Sequence, residues 1–475
     1  MLTRCDSGQP LVLLGLEQQL HAMGHSHESY IILCWSCGVC PQGFEVYPER
    51  MTAAWHGFAD MAAVSTNGPL VLSEGSGTRI TDVDGNEYLD ITSGLWFANV
   101  GHGRAEIAEA VGRQAGRLAH YSMFGDMVDE PTASLAERVA AIAPMADAKV
   151  FFTSGGSDSV DTALKMVRRY WQVMNQPTRQ VVLMRDHAYH GMHWAGTKLS
   201  GLEPNRVGWG DLGDEAVRVS WNSADDLAET IERIGAHRIA AFFCEPIIGA
   251  GGVRFAGEQY LKEAREVCRE HDVLWVSDEV ISGFGRTGEW FASGRFGLDP
   301  DLVLTAKGLT SGYVPMGAVI AGQRVSEPFF DGSAGVFRHG YTYSGHAVAA
   351  AAAHANLDII EREGLVERVR VLQTPLAEAL APLADHDLVS EVRAGVGLLG
   401  AVQIDPAVLA VDSGVSARVI GAMRRNGVLS RALIDGSVQV SPPFVVSEAE
   451  ISHAVDVISI SLNEVEANMA STLAS

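Results

Sequence analysis

The chain has 475 residues, which is room for about two or three domains and for a hydrophobic core that needs no disulfide to stabilise it. Its 58 acidic and 35 basic residues give a formal net charge of −23, which repels nucleic-acid phosphates and anionic lipid. The composition therefore argues against nucleic-acid binding and a polybasic membrane anchor. With 47% hydrophobic residues and 50 glycines, it favours a folded α/β protein.

The first 50 residues lack the patterning of the rest of the chain. They contain a CxxCxxC motif and upstream histidines that could together hold a metal: His21, His25, His27, Cys34, Cys37 and Cys40. Structural zinc sites usually pair ligands across a longer loop, and ferredoxin-type runs have a fourth cysteine nearby, so we expect no metal site. Ordinary globular patterning starts at Met51. We therefore predict that residues 1–50 are a flexible appendage.

Membrane insertion and export are both poor matches to the sequence. No stretch reaches the roughly 18 consecutive apolar residues that a membrane helix needs. The apolar run at 11–16 is short and is followed by Glu17, unlike a secretory signal. The two cysteines beyond the first 50 residues, Cys244 and Cys268, stand apart from each other in the sequence. We therefore expect a protein of the reducing cytoplasm.

Five short apolar runs predict strands buried on both faces, because their hydrophobicity is continuous and does not alternate. They are KVFF (149–152), VVLM (181–184), AAFFC (240–244), VLWVS (273–277) and DLVLT (301–305). Helical spacing lies between them, as in Val160, Ala163, Leu164 and Val167. The alternation of strand and helix predicts the α/β class with a mostly parallel sheet.

Polar residues follow each predicted strand, at the sheet edge where α/β proteins bind ligands. The segments are TSGGSDS (153–159), RDHAYHG (185–191), EPIIGAGG (245–252), DEV (278–280) and AKGL (306–309). One edge therefore collects a glycine-rich turn, a Tyr-His pair, carboxylates and a lysine. We single out the carboxylates of Glu245, Asp278 and Glu279 and the amine of Lys307.

Three of these features fit one cofactor. A glycine turn before a helix can bind phosphate, although such turns are common. Lys307 is either a solvated surface charge or a desolvated amine able to form a Schiff base. Asp278 is either a helix cap or ion pair, or the anion that keeps a pyridine nitrogen protonated. Pyridoxal phosphate needs a phosphate grip, an imine lysine and such an anion, and is the most economical interpretation.

A competing motif is GFGRTG (283–288), which matches the GxGxxG fingerprint of nicotinamide-binding proteins. That fingerprint should close a strand and open an apolar helix. Here it follows DEVIS and runs into EWFASGRFG, which has no sustained apolar stripe. A nicotinamide oxidoreductase therefore stays a distant alternative.

The segment DEVISGFGRTG (278–288) followed by TAKGLTSGYVPMGAVI (305–320) resembles the signature of class III pyridoxal-phosphate aminotransferases, a fold-type-I family. The resemblance extends over about residues 60–465 through segments in the family's order: GLWFANVGHGR (94–104), FFTSGGSDSVDTALKMVRRYW (151–171), YHG (189–191), EPIIGAGG (245–252), HGYTYSGHAVAAAAA (339–353) and SRALIDGSVQVSPPF (430–444). It implies a large cofactor domain at 106–360 and a small α+β domain built from 51–105 and 361–475.

The resemblance also implies roles for single residues around the cofactor. Lys307 would form the Schiff base and move the substrate proton, and Asp278 would pair with the pyridine nitrogen. Tyr189 and Val280 would contact the two faces of the ring. The phosphate turn would be Gly155, Gly156 and Ser157, where glycine replaces the serine that the family more often has first, so one hydroxyl donor is lost.

A further implied residue, Thr342, would reach the phosphate of the partner subunit and make the homodimer obligatory. Whether dimers pair into tetramers stays open. For substrate, Arg431 resembles the mobile arginine that binds a carboxylate and swings aside for an apolar amine. Trp96 would form an aromatic wall of the substrate pocket, and Glu245 would act through its neighbours.

The function implied is a ping-pong transamination from an amine or ω-amino acid to a keto acid, expected to be pyruvate, as in ω-aminotransferases of the β-alanine:pyruvate and amine:pyruvate kind. Two alternatives within the class stay open. One is an aminotransferase for diamines or γ-aminobutyrate linked to 2-oxoglutarate, and the other is an aminomutase. A non-catalytic binding module is disfavoured because Lys307 and Asp278 are both present.

Overall fold

A computed structural model of the chain describes residues 53–474. The predicted appendage at 1–50, with its CxxCxxC motif, lies outside the described residues, so both predictions made for it stay predictions. The described residues divide into two units, one that ends at Pro69 and one that begins at Leu70. In the first, helix α1 (Met61–Asn67) begins after Asp60, whose side chain accepts the N–H groups of Ala62 and Ala63. All described residues of the predicted site lie in the second unit.

The second unit contains strands and helices along its whole length. Its strands are β1 (Leu72–Ser76), β2 (Arg79–Asp82), β3 (Glu87–Asp90), β4 (Lys149–Thr153), β5 (Val181–Arg185), β6 (Ala216–Val219), β7 (Ile239–Cys244), β8 (Leu274–Asp278), β9 (Leu302–Thr305), β10 (Gly317–Ala321), β11 (Val389–Arg393), β12 (Gly400–Ile404), β13 (Val428–Leu429) and β14 (Ser437–Val440). Its helices are α2 (Ser93–Trp96), α3 (Ala105–Arg117), α4 (Glu130–Ile142), α5 (Gly156–Val173), α6 (Trp194–Lys198), α7 (Ala224–Ile234), α8 (Glu258–Glu270), α9 (Ala292–Arg295), α10 (Gln323–Phe330), α11 (Ala347–Arg362), α12 (Leu365–Leu380), α13 (Pro406–Val411), α14 (Val415–Arg425) and α15 (Glu448–Ala474). Short 3-10 turns lie at Glu203–Asn205, Ala236–Arg238, Lys307–Leu309 and Ala381–Asp385.

The central sheet has the strand order β4-β10-β9-β8-β7-β5-β6. Five of these strands are the predicted apolar runs, and pairings from β9 through β6 are parallel. Strand β10 is antiparallel to both β4 and β9. Because β10 alone is reversed, the carboxyl ends of the five predicted strands share one edge. The prediction of an α/β fold with a mostly parallel sheet is confirmed.

Helices pack on both faces of this sheet, because the consecutive strand residues Phe242 and Phe243 belong to two different clusters that each contain helix residues. This explains the continuous hydrophobicity of its strands. Helix α5 buries the predicted stripe, with Val160, Ala163 and Val167 at most 1% exposed. Leu164 is partly buried and packs against the same core. Within the described part of the chain, no helix is long and apolar enough to span a bilayer.

Two smaller sheets come from segments near the two chain ends. One has the order β1-β2-β3-β13, and its β3 and β13 are parallel, with Leu89 opposite Val428. The other has the order β11-β12-β14 and is antiparallel. The limits of the predicted large and small domains stay a prediction.

Candidate active site

The carboxyl ends of the central strands surround a cavity of about 150 Å³. Six of the predicted site residues line it together with Glu245: Gly156, Ser157, Tyr189, Asp278, Val280 and Lys307. Strand β8 ends at Asp278, strand β9 ends two residues before Lys307, and helix α5 begins at Gly156. The edge predicted from the polar segments is thus a single site. Gly155, Trp96, Arg431 and Thr342 are not among the residues that line this cavity.

Lys307 lies at the start of a 3-10 turn with an unusual backbone conformation, φ 40°. Residues other than glycine rarely adopt positive φ, and such strain concentrates at functional sites. Burial lowers the pKa of the Lys307 amine to about 8, and the nearby Asp278 opposes that shift. Its Nζ lies 5.0 Å from the centre of the Trp96 ring. The amine is therefore held in the cavity with about a tenth of it neutral at pH 7, far more than in a solvated lysine.

Asp278 is 5% exposed and bound on both carboxylate oxygens. Oδ2 lies 2.7 Å from Nδ1 of His190, and Oδ1 accepts the N–H of Val280 at 3.2 Å. No role was predicted for His190 from the sequence, although the YHG segment in the loop after β5 contains it. The Tyr-His pair after a buried strand could have indicated a role for His190 at this edge of the sheet.

The turn before α5 has the features of an anion site. The first N–H groups of a helix have no partner within it, and the helix dipole favours negative charge there. A Cβ on Gly156 would lie 2.9 Å from Cγ1 of Val280, so only glycine lets the two segments approach this closely. The Ser157 hydroxyl accepts the N–H of Met192 at 3.1 Å and keeps its own proton to donate.

Glu245 is buried beside the cavity and joins two loops. Its oxygens accept the N–H groups of Tyr189 and Gly249, each at 2.9 Å. Burial raises the pKa of Glu245, and the neighbouring His190 opposes the shift. Glu245 thereby fixes the backbone that carries Tyr189.

The two predicted substrate residues contact each other. The Arg431 guanidinium lies 5.2 Å from the centre of the Trp96 ring. Trp96 is 2% exposed, with φ 60°, and its indole N–H donates to the Ser441 hydroxyl at 3.1 Å. Arg431 is partly buried, and burial lowers its pKa. Trp96 is therefore both packed in the core and in contact with the cations Lys307 and Arg431.

Thr342 lies apart from these groups on an exposed loop. Its carbonyl accepts a hydrogen bond from Nε2 of His120 at 2.9 Å. The side chain is exposed, and the loop lies between α10 and α11.

The GFGRTG segment lacks the setting of a dinucleotide fingerprint, since a turn and not a helix follows it. Arg286 within it is fully buried. It donates to the carbonyls of Leu398 and Pro442, at 3.3 and 2.6 Å, and to Ser93 Oγ and Asn99 Oδ1, each at 2.9 Å. Arg286 thus ties this segment to the chain around Trp96, and we call these four hydrogen bonds the Arg286 clamp.

The residues present fit pyridoxal phosphate. An amine with a lowered pKa, a buried carboxylate and the first residues of helix α5 line one cavity. Nε2 of His190, in the cavity wall, is buried and has no hydrogen-bond partner among the described residues. Tyr189 and Val280 supply an aromatic and a branched apolar side chain for ring contacts.

Comparison with known proteins gives consistent matches. The family model for "Aminotransferase class-III" matches residues 61–462. The putrescine–pyruvate aminotransferase of Pseudomonas aeruginosa is 39% identical over 422 residues, covering 84% of this chain and 91% of the relative. The diaminobutyrate–2-oxoglutarate transaminase of Halomonas elongata is 36% identical over 415 residues, 81% and 88% of the two chains. The PLP-bound crystal structure of an amine transaminase from an uncultivated Pseudomonas species superposes with a TM-score of 0.82 at 36% identity, covering 87% and 98%.

Proposed function

The chain belongs to the class III aminotransferases, and from that premise we propose that it transfers the amino group of an amine or ω-amino acid to pyruvate. It is an aminotransferase of fold type I that uses pyridoxal phosphate. The choice of donor, the choice of pyruvate and the role of each residue are the proposal.

Pyridoxal phosphate, when bound, supplies an electron sink that stabilises negative charge on the substrate carbon. We assign its ring to the space lined by Tyr189 and Val280, and its phosphate to Gly155, Gly156 and Ser157. Asp278 would hold the proton on the pyridine nitrogen. A carboxylate suits this task because it is anionic and, in this cavity, already oriented by two hydrogen bonds.

Lys307 has two tasks in the proposal. Its Nζ would hold the cofactor covalently between turnovers. Once the substrate amine has displaced it, Nζ would accept the proton from the substrate carbon and deliver it to the cofactor carbon that is bonded to the substrate nitrogen. Proton transfer is most effective when the pKa of the carrier lies near the operating pH. The lowered pKa of about 8 supports this role. The two half-reactions use the same lysine in opposite directions, as a ping-pong reaction requires.

The main support for the proposed classes of amino donor and acceptor is the position of Arg431 over the Trp96 ring. Within the described part of the chain, no carboxylate forms an ion pair with this partly buried guanidinium. A guanidinium binds a carboxylate in a bidentate manner. A substrate carboxylate would therefore supply the missing counter-ion, and an apolar amine would leave Arg431 on the ring. Both substrate types are then compatible with one pocket.

Two further parts of the proposal concern assembly and location. The exposed Thr342 loop supports a homodimer in which Thr342 completes the phosphate site of the partner. Cys244 and Cys268 are both free and buried, which supports a reducing compartment, and we place the enzyme in the cytoplasm.

A 2-oxoglutarate-linked reaction is the second candidate, because a 2-oxoglutarate-dependent relative matches nearly as well as the pyruvate-dependent one. The deciding experiment offers the purified holoenzyme putrescine, β-alanine, γ-aminobutyrate and 1-phenylethylamine, each with pyruvate or 2-oxoglutarate. We expect turnover with pyruvate as acceptor for at least one donor. Turnover with 2-oxoglutarate alone would favour the second candidate, and no transamination with any pair would contradict the proposal.

A further inference from the structure

Arg431 lies in the segment that joins β13 to β14, residues 430–436, which we call the arginine loop. The backbone beside Arg431 is fixed, because its carbonyl accepts the N–H of Gln439 at 3.1 Å and the Ser430 hydroxyl donates to the carbonyl of Gln439 at 2.7 Å. The guanidinium contacts the Trp96 ring, and within the described residues it forms no ion pair. The side chain of Arg431 is therefore free to turn about a backbone that is held in place.

Asp435 holds the other end of the arginine loop. Its Oδ1 accepts the backbone N–H and the hydroxyl of Ser437, at 3.1 and 2.6 Å, and its carbonyl accepts the side-chain amide of Gln403 at 2.7 Å. Its Oδ2 lies 3.0 Å from Nη2 of Arg254 and 2.9 Å from Nη2 of Arg393. Asp435 thus joins the arginine loop to β11, to β12 and to the loop after β7.

These ion pairs are largely shielded from water. The side chains of Asp435, Arg254 and Arg393 are 12%, 19% and 7% exposed. Removing one partner of such a pair leaves the other charge buried without compensation, so the arrangement resists change. The backbone of Gly252 comes so close to Oδ2 of Asp435 that a Cβ there would overlap it. The loop after β7 is therefore shaped around this carboxylate.

The loop after β7 leads directly to the cavity. Arg254 closes this loop by pairing with Ile248, with N–H to carbonyl distances of 2.8 and 3.2 Å. The same loop begins with Glu245, which lines the cavity and accepts the N–H of Tyr189 at 2.9 Å. Through Arg254, Asp435 therefore ties the arginine loop to the wall of the cavity.

We propose that Asp435 is a positioning residue for substrate carboxylates, which through Arg254 fixes the arginine loop relative to the cavity and so sets where Arg431 meets the carboxylate of an ω-amino acid. The inference rests on the proposed role of Arg431. A guanidinium and a carboxylate form two parallel hydrogen bonds, and a shift of the backbone by about 1 Å misaligns both. An amine that has no carboxylate does not use Arg431 and should not depend on Asp435.

The test uses substitutions that loosen the arginine loop without touching Arg431. Asp435→Asn removes the charge with little change in shape. Arg254→Met removes only the link to the loop after β7, and Arg254→Lys restores a cation there. The matched control is Asp412→Asn, the same substitution in an exposed ion pair with Arg418.

The quantity measured is the ratio of kcat/KM for β-alanine to kcat/KM for propylamine, taken from the donor half-reaction of each holoenzyme. The two amines share a three-carbon chain and differ in the carboxylate. A general loss of folded protein or of cofactor lowers both values alike and leaves the ratio unchanged. The ratio therefore reports positioning of the carboxylate and not stability.

We expect Asp435→Asn to lower this ratio by about 10- to 100-fold, the cost of misplacing a group that orients the substrate. Most of the fall should come from a higher KM for β-alanine, because the carboxylate is bound alike in the ground state and the transition state. Arg254→Met should lower the ratio less, since Arg393 still holds Asp435, and Arg254→Lys should recover most of that loss. Asp412→Asn should match the wild type.

The inference is overturned if Asp435→Asn leaves the ratio unchanged, or if it lowers kcat/KM equally for both amines. If Asp435→Asn fails to fold, Arg254→Met decides in its place, and an unchanged ratio there overturns the inference. Arg431→Leu separates this result from the proposed function. An unchanged ratio in Arg431→Leu would refute the role of Arg431 and this inference with it, whereas a fall there without one in Asp435→Asn would refute only the role of Asp435.

Discussion

Arg431→Leu should separate substrates that carry a carboxylate from those that do not. In the structure the guanidinium rests 5.2 Å from the centre of the Trp96 ring. A substrate carboxylate would draw it away and accept two charge-assisted hydrogen bonds. The leucine variant can still pack against Trp96, but it cannot bind an anion.

The size of the effect follows from the hydrogen bonds that Arg431 forms with the carboxylate and the ring interaction that it gives up. Two hydrogen bonds from a charged donor contribute about 3–6 kcal/mol together. When the guanidinium leaves the Trp96 ring, it loses a cation–π interaction of about 1–2 kcal/mol, which offsets part of this gain. The net loss in Arg431→Leu is then about 2–4 kcal/mol, which corresponds to a fall of about 30- to 1000-fold in kcat/KM.

The assay uses β-alanine and propylamine, which have the same three-carbon amine chain with and without a carboxylate. The donor half-reaction is followed alone by the visible absorption of the cofactor, so that no keto acid is present to confuse the result. We expect the large fall for β-alanine and little change for propylamine, with Arg431→Lys intermediate. Arg113→Leu, at an exposed position of α3, is the control. An equal fall for both amines, or no fall for either, would refute the role of Arg431 as the carboxylate site.

Three other predictions concern the amine, the buried clamp and the phosphate turn. Because burial lowers the pKa of Lys307 to about 8, its amine loses the proton as pH rises through that value, and cofactor capture by the cofactor-free enzyme should accelerate about tenfold from pH 7 to pH 9. Stopped-flow absorbance measures this, and a flat profile would contradict it. Arg286→Met removes the donor to four buried acceptors and should lower the free energy of unfolding by about 3–5 kcal/mol, measured in urea, with a smaller loss for Arg286→Lys. A loss below about 1 kcal/mol in Arg286→Met would contradict the role of these hydrogen bonds. Gly156→Ala places a Cβ 2.9 Å from Val280, which should weaken cofactor binding by about 5- to 150-fold in equilibrium dialysis. The control is Gly112→Ala, which adds a methyl group in open space and should leave the affinity unchanged. An unaltered affinity in Gly156→Ala would refute the requirement for glycine beside Val280.

Local pattern was enough to predict five strands of the central sheet and the polar residues that follow them. A strand covered by helices on both faces must be apolar at consecutive positions, and this requirement is visible without knowing what covers it. The same reasoning placed Asp278 and Lys307 at one edge, because parallel strands end together. Strands β6 and β10 were not predicted. Strand β10 is antiparallel and inserts between β4 and β9, a pairing that depends on long-range hydrogen bonds.

The identities of the contacting side chains were decided only by the tertiary structure. Nothing near YHG in the sequence indicates that His190 binds Asp278, since the two residues are 88 positions apart. Trp96 contacts Arg431 and donates to Ser441, which is 345 positions away. Sequence patterns report burial and backbone preference, because these depend on near neighbours along the chain. Which two side chains meet depends on how separate elements pack, and that is set by the whole fold at once.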